Sequence, residues 1–188
     1  MKNLLVVVDY QYDFVEGTLG FPKAKELDAV IAAKVEHYRQ GGHEVLFTMD
    51  THADDYLVTQ EGRNLPVRHC TKGTPGWQLY GMVGDSALPT DMRIEKGAFG
   101  SLELAQYLQN GNYARVEFAG LVSNICVLSN AVIAKAALPE ATVIVDATAV
   151  ASYDELLHKA ALDVMVALQI SVINRAQGSG PSNGGTCC

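Results

Sequence analysis

Three residues that could carry out chemistry together lie just past the ends of buried apolar runs. Asp9 follows the run in "LLVVVDY", Lys96 closes "MRIEK", and Cys126 comes shortly after "ARVEFAGL", where a helical pattern begins. A cysteine is nucleophilic as its thiolate, and its pKa falls at a helix N-terminus and beside a cation such as Lys96. An acid such as Asp9 can take the thiol proton and later deliver it to a leaving amine. These residue types predict acyl transfer by a triad without histidine.

The elements that must position these residues alternate along the chain. Strands are predicted at 4–10, 43–50, 92–96, 114–121, 141–148 and 170–174, and helices near 25–40, 101–109, 124–137 and 154–167. Ser101 and Ser152 are predicted N-caps. The strand runs are continuously hydrophobic, which is typical of strands covered on both faces. The alternation therefore predicts an α/β fold, a three-layer αβα sandwich around a mostly parallel six-stranded sheet.

The predicted sheet brings the reactive residues to one edge. In open sheets of this kind ligands bind beyond the carboxyl ends of the strands. Asp9, Asp50, Lys96 and Cys126 all lie at or just after such ends. Each has a simpler explanation alone, as a turn cap, a solvated lysine or a core thiol. Their shared position favours a common site.

Length and charge restrict the class of protein. The chain has 188 residues, 48% of them hydrophobic, and a formal net charge of -7. It is long enough for one core, so we expect one domain at 1–176, followed by a disordered Gly/Ser-rich tail at 177–188. The negative charge argues against nucleic acid or an anionic membrane as partner and favours a small-molecule substrate.

The sequence also predicts the location of the protein and the redox state of its cysteines. No apolar run reaches the length of about 20 residues that a membrane helix needs, and "MKNLLVVVDY" reaches an acid too early for a signal peptide. We therefore expect a cytoplasmic protein. The four cysteines do not form a disulfide framework in a chain of this length, so reduced thiols are predicted.

The long polar stretch at 51–91 is a candidate functional loop, and it predicts a metal site. Asp50 and His52 have the Asp-x-His spacing of two ligands at the end of the second strand, and His69 lies further along the loop. Two imidazoles with carboxylate oxygens suit Zn²⁺, Fe²⁺ or Mn²⁺. Glu61, Asp54 and Asp55 are acids of this loop that could supply a further ligand. The alternative for both histidines is a place on the loop surface.

Three segments carry a family resemblance. "VVVDYQYDF" (6–14), "EKGAFGS" (95–101) and "GLVSNICVLSNA" (120–131), in this order, resemble the isochorismatase-like cysteine hydrolases, and the similarity spans residues 3 to about 174. The resemblance implies the isochorismatase-like hydrolase fold. It also implies that Asp9 is the general base and acid, Lys96 the electrostatic partner and Cys126 the nucleophile. A cis peptide at Leu121–Val122 and an oxyanion hole formed by the N–H groups of Val122 and Cys126 are implied as well.

The metal-ligand pattern resembles the nicotinamidase (pyrazinamidase) branch of this superfamily. That resemblance implies hydrolysis of nicotinamide to nicotinic acid and ammonia through a cysteine thioester, in NAD salvage. Asp50, His52, Glu61 and His69 would hold a metal, most simply zinc, that binds the pyridine nitrogen. Superfamily members are commonly oligomers, so a homo-oligomer is implied.

The substrate-binding residues implied by this branch depart from its usual pattern at one position. Phe14 matches an aromatic residue on one side of the substrate ring, with simple core packing as the alternative. The usual turn reads aromatic-Pro-Pro-His-Cys, whereas this chain reads "NLPVRHC" (64–70), with Leu65 in the aromatic position. Trp77 is expected to be structural.

Two other functions remain open at this stage. The first is a metal-independent cysteine amidase of the same superfamily acting on N-carbamoyl or ureido substrates. Such a site would need an anion-binding side chain in the pocket, and Arg63 or Arg68 could supply it. The second is a non-catalytic member that binds a small ligand.

Overall fold

A six-stranded sheet forms the centre of the molecule. The structure, a computed structural model, describes residues 2–175, so the predicted tail with Cys187 and Cys188 lies outside the described residues. The strands are β1 Lys2–Val8, β2 Glu44–Asp50, β3 Met92–Lys96, β4 Tyr113–Leu121, β5 Thr142–Ala151 and β6 Ser171–Ile173. Their order is β3-β2-β1-β4-β5-β6, and every neighbouring pair is parallel. The predicted sheet is confirmed, and it is parallel throughout.

Eight α-helices connect these strands within the described residues. They are α1 Tyr12–Val15, α2 Pro22–Glu26, α3 Asp28–Gln40, α4 Gln60–Asn64, α5 Gly81–Ser86, α6 Leu102–Gly111, α7 Leu128–Ala137 and α8 Glu155–Ala167. All four predicted helical regions contain a helix. The short helices α1 and α2 were not predicted, because four or five residues are too few to show a helical period.

The side chains of β1 show why the fold has three layers. Leu4, Val6 and Val8 pack into one core together with residues of α6, α7 and α8. Leu5 and Val7 point the other way, into a second core with residues of α2, α3 and α5. A segment of strand buried on both faces must be apolar at every position, as residues 4–8 of β1 are. Within residues 2–175, no helix has both the length and the apolar character that a membrane crossing requires.

Three local predictions need correction. The stretch at 51–91 is not one irregular loop, because it contains α4, α5 and two 3₁₀ turns. Ser101 does cap α6, accepting the Leu104 N–H, but the N-cap of α8 is Asp154 rather than Ser152. The helix predicted from residue 124 begins as a π-helical turn, Ser123–Val127, and continues as α7.

The winding direction of the sheet reverses between β1 and β4. The chain proceeds from β1 to β2 and β3 on one side, and from β4 to β5 and β6 on the other, which opens a crevice beyond the two central strands. The two strands approach closely there: Gly120 has a φ of 113°, and a Cβ at this position would lie 2.1 Å from the Val8 carbonyl oxygen. Glycine at this point allows the strands before Asp9 and before the Cys126 turn to stay paired.

Candidate active site

Asp9, Lys96 and Cys126 meet in the crevice. Asp9 directly follows β1, Lys96 is the last residue of β3, and Cys126 lies in the π-helical turn after β4. Lys96 Nζ is 2.7 Å from Asp9 Oδ2 and 3.5 Å from Cys126 Sγ. All three residues are buried, and Asp9 has no exposed surface. The structure therefore brings together the three residues that the sequence predicts as a triad.

The ammonium of Lys96 also contacts groups outside the triad. Its Nζ lies 3.3 Å from Asp50 Oδ1 and donates to the Ala98 carbonyl oxygen at 3.1 Å. Burial lowers the pKa of Lys96, but the charges of Asp9, Cys126 and Asp50 outweigh this effect and hold the pKa well above its ordinary value. Lys96 is therefore a permanent cation inside the protein.

The pKa of the Cys126 thiol is shifted in the direction opposite to the one expected from the sequence. Burial, and then the charge of Asp9, raise the pKa of Cys126 well above its ordinary value, and Lys96 offsets this only in part. Burial also raises the pKa of Asp9 more than Lys96 lowers it. One ammonium faces two carboxylates here, so a thiolate would be a third anion in a low-dielectric site. The thiol is therefore protonated at rest and needs a nearby base.

Two polar residues that were not predicted hold the acids in place. Thr48 lies two positions before Asp50 on the same face of β2, and its Oγ1 donates to Asp9 Oδ1 at 2.7 Å. Gln11 is fully buried: its Nε2 donates to the Asp50 and Trp77 carbonyl oxygens, and its Oε1 accepts the Asp50 N–H at 2.7 Å. Gln11 could have been predicted as a site residue from the sequence "DYQ", because it lies two residues after Asp9 and both follow β1.

A second cluster shares Asp50 with the triad. Ligand atoms of Asp50, His52 and His69 all lie within 4.8 Å of one another, and all three residues are buried. Asp50 Oδ2 is 3.0 Å from His52 Nε2 and 3.3 Å from His69 Nε2. Glu61 Oε1 lies 3.7 and 3.9 Å from the same two nitrogens. Of the three acids considered for this position, Glu61 is the one beside the imidazoles, while Asp54 and Asp55 are exposed.

The side chains of this second cluster are oriented as metal ligands are. His69 Nδ1 lies 2.8 Å from the Val67 carbonyl oxygen, to which a proton on Nδ1 donates, so Nε2 is the ring nitrogen that faces the cluster. Burial raises the pKa of Asp50, but hydrogen bonds from His52 and His69 outweigh it and hold that pKa below its usual range. Two imidazole nitrogens with one or two carboxylates fit a divalent metal.

Tyr56, which was not predicted, packs against both imidazoles. Its ring centroid is 4.5 Å from that of His52 and 5.0 Å from that of His69. Its hydroxyl donates to the Leu65 carbonyl oxygen at 3.0 Å. The tyrosine thus restricts both rings and anchors the cavity wall at Leu65.

The two clusters border one cavity of about 410 Å³. Its charged or reactive lining residues are Asp50, Glu61, His69 and Cys126, and the others are Phe14, Leu19, Gly20, Leu65, Phe99, Val122, Ile125 and Tyr153. Phe14 and Leu65, both predicted to bind substrate, therefore face this cavity. The aromatic residue Phe99, three positions after Lys96, also lines it and was not predicted. Trp77 is not among the lining residues, as expected.

No arginine or lysine lines the cavity in the described part of the chain. Arg63 donates to the Val58 carbonyl oxygen and Arg68 to that of Asp54, both on the exposed surface. Neither supplies the anion-binding group that the carbamoyl-substrate alternative requires.

The backbone just before Cys126 contains one of the two features that the family resemblance implies, a cis peptide bond. The Leu121–Val122 peptide is cis, as the resemblance implies. The N–H groups of Ile125 and Val127 both donate to the Val122 carbonyl oxygen, and Val122 and Cys126 both border the cavity. The oxyanion hole formed by the N–H groups of Val122 and Cys126 stays a prediction.

The sequence matches a known family over most of its length. Residues 3–177 match the isochorismatase domain. The uncharacterized isochorismatase family protein PncA of Bacillus subtilis is 30% identical over 174 residues, which cover 86% of this chain and 93% of the relative. The nicotinamidase of Saccharomyces cerevisiae is 25% identical, over 93% of this chain and all of that protein (100%).

Solved structures match over the same extent. The nicotinamidase/pyrazinamidase PncA of Bacillus subtilis has a TM-score of 0.82 at 27% identity, covering 92% of this chain and 99% of that one. The pyrazinamidase of Pyrococcus horikoshii in complex with zinc has a TM-score of 0.80 at 25% identity, with coverage of 92% and 99%. The N-carbamoylsarcosine amidase of Thermoplasma acidophilum has a TM-score of 0.76 at 26% identity, with coverage of 95% and 100%.

Removing either imidazole should release metal. We expect His52→Ala and His69→Ala to lower the affinity for zinc by at least about a hundredfold, because each removes one of three buried donors. Bound metal per chain and zinc affinity can be measured by elemental analysis and chelator competition. His37→Ala, which removes an exposed imidazole from α3, is the matched control and should bind as the wild type does. Unchanged zinc affinity in both cluster variants would rule out this site.

Proposed function

The chain belongs to the isochorismatase family of hydrolases, and we propose that within it the protein hydrolyses nicotinamide to nicotinic acid and ammonia. The observation that supports this most is a mainly apolar cavity, without a lining arginine or lysine, bordered by Cys126 and by a metal-type cluster. A flat, neutral amide suits such a cavity. A carboxylate-bearing substrate would lose its hydration there without gaining an arginine or lysine partner.

The proposed reaction begins with proton transfer from Cys126 to Asp9. The sulfur attacks the amide carbonyl carbon while the carboxylate of Asp9 takes the thiol proton. Lys96, which contacts both residues, stabilises the negative charge as it moves between them. The backbone N–H groups of Val122 and Cys126 are proposed to donate hydrogen bonds to the developing oxyanion.

The second half of the reaction returns each group to its starting state. Asp9 delivers its proton to the amide nitrogen, and the carbon–nitrogen bond breaks. Ammonia departs, and the acyl group remains on Cys126 as a thioester. Water then attacks the thioester, with Asp9 accepting its proton, and the carbon–sulfur bond breaks to release nicotinic acid. The proton on Asp9 returns to the sulfur.

The metal cluster has a separate role in this proposal. Asp50, His52, His69 and Glu61 would hold one divalent metal, for which zinc, iron and manganese all fit the donors. When bound, the metal supplies a Lewis acid for the ring nitrogen, which orients the ring and withdraws electron density. Phe14 and Leu65 flank the ring. The resemblance of the chain to a pyrazinamidase in complex with zinc supports zinc.

An N-carbamoyl amidase is the second candidate, favoured by the similarity to the N-carbamoylsarcosine amidase of Thermoplasma acidophilum. That candidate uses the same triad, so only the substrate pocket separates the two. A role in NAD salvage, a cytoplasmic location and a homo-oligomer are predicted from the sequence for the nicotinamide hydrolase proposed above, and they stay predictions.

Ammonia release from a small amide panel tests the function. We expect nicotinamide to be hydrolysed with a kcat/KM at least about a hundredfold above that of N-carbamoylsarcosine, since no arginine or lysine lines the cavity to pair with the sarcosine carboxylate. Cys126→Ala should lower kcat by about a thousandfold or more, because it removes the nucleophile. Cys70→Ala, at the other buried cysteine, controls for thiol loss. Preference for the carbamoyl compound would favour the second candidate, and near-normal turnover by Cys126→Ala would exclude the thioester.

Leu65→Phe tests the ring pocket directly. Aromatic contact with a flat ring contributes about 0.5–1.5 kcal/mol beyond burial, so we expect KM for nicotinamide to fall several-fold to about tenfold. The kcat should change little, because the contact forms equally in the ground and transition states. Both constants are measured on nicotinamide and on N-carbamoylsarcosine. An equal gain on both substrates would contradict a pyridine pocket.

A further inference from the structure

Asn130 is a fully buried polar side chain in α7 that the proposed reaction does not use. Its Nδ2 donates to the Cys126 carbonyl oxygen at 2.8 Å and to the Phe99 carbonyl oxygen at 3.0 Å. Its Oδ1 accepts the Ser101 N–H at 3.0 Å. One side-chain amide thus bonds to backbone groups of two separate segments, and its bonds to Cys126 and Ser101 are buried.

One of these segments contains Cys126 and the other directly follows Lys96, the two residues of the thiol–ammonium contact. One is the π-helical turn that contains Cys126. The other is the segment 97–101 that follows Lys96, and its Ala98 carbonyl oxygen accepts a hydrogen bond from Lys96 Nζ at 3.1 Å. Asn130 is therefore bonded directly to the backbone of Cys126 and to the segment that fixes the Lys96 ammonium.

The local sequence shows why such a link is needed. The segment 97–101 reads "GAFGS", so it has few side chains with which to hold its own position. It packs directly on α7, since a Cβ at Gly100 would lie 2.6 Å from Ile133 Cδ1. On the other side, the turn before α7 is π-helical, a form that departs from the regular backbone bonding of an α-helix. The amide of Asn130 supplies side-chain bonds at both irregular places.

We propose that Asn130 is a positioning residue that keeps the Lys96 segment and the Cys126 turn in register, and so maintains the 3.5 Å contact between Nζ and Sγ. This inference rests on the proposed role of Cys126 as the nucleophile. Asn130 does not border the cavity, so it acts through Cys126 and Lys96 and not on the substrate.

The test compares alkylation of Cys126 by iodoacetamide at one fixed pH in the wild type, Asn130→Ala and Asn130→Asp. Mass spectrometry of the separate peptides gives the rate for Cys126 apart from the other thiols. We expect about a tenfold slower alkylation in both variants, because a displaced ammonium no longer favours the thiolate. Asn130→Asp keeps the size of the side chain and the acceptor for Ser101, so it remains informative if Asn130→Ala does not fold.

Ser101→Ala is the matched control. It removes the hydroxyl that caps α6 by accepting the Leu104 N–H, yet leaves the Ser101 N–H bonded to Asn130. It should lower the melting temperature, as a lost cap does, while the alkylation rate of Cys126 stays within about twofold of the wild type. If Asn130 had only a structural role, Asn130→Ala and Asn130→Asp would behave as Ser101→Ala does, with a lower melting temperature and a nearly unchanged alkylation rate of Cys126.

Buried Cys70 provides the internal reference that separates this inference from the proposed function. In the wild type, Cys126 should react faster than Cys70, since only Cys126 borders the cavity. If Cys126 reacts no faster than Cys70, both the nucleophile assignment and the role of Asn130 are overturned. If Cys126 is reactive and both Asn130 variants alkylate at the wild-type rate or faster, the inference about Asn130 alone is overturned.

Discussion

The site is organised around one buried ammonium. Lys96 Nζ is only slightly exposed and lies within 3.5 Å of Asp9, Asp50 and Cys126. A charge in such a place is stable only when it is paired and hydrogen-bonded, so the acids and the lysine require one another. They come from the ends of three adjacent parallel strands. The sheet order, with β1 between β2 and β4, is what makes this convergence possible.

Asp50 joins the two halves of the site. Its Oδ1 faces Lys96, while its Oδ2 faces both imidazoles of the metal-type cluster. The same carboxylate thus helps to neutralise the cation beside the thiol and offers a ligand to a divalent ion. In the proposed reaction this arrangement sets the distance between the reactive sulfur and the end of the cavity where the ring nitrogen would bind. Covalent chemistry and ring recognition then share one mainly apolar cavity.

Strand ends were predictable because the buried stretches of these parallel strands are mainly apolar, and three of the strands lead directly to a charged residue. For that reason Asp9, Asp50, Lys96 and Cys126 could be assigned to one edge before the structure was known. Contacts that depend on chain packing across long separations could not be predicted. Phe99 and Tyr56 lie outside any helical period. Asn130 is one helical turn after Cys126, but its bonds to the segment 97–101 form only when that segment packs on α7. The thiol pKa was predicted in the wrong direction because the number of acids around Lys96 depends on burial, which spacing does not give.

The pH dependence of Lys96→Met tests most directly whether this ammonium controls the site. Lys96 lowers the pKa of both Cys126 and Asp9, so its removal should raise both. The rise of kcat/KM for nicotinamide with pH should then move at least about one pH unit toward alkaline values, with a lower maximum. Lys72→Met, at an exposed lysine paired with Glu95, serves as the control, and circular dichroism verifies that each variant is folded. A folded Lys96→Met enzyme whose activity rises at the wild-type pH would contradict the account.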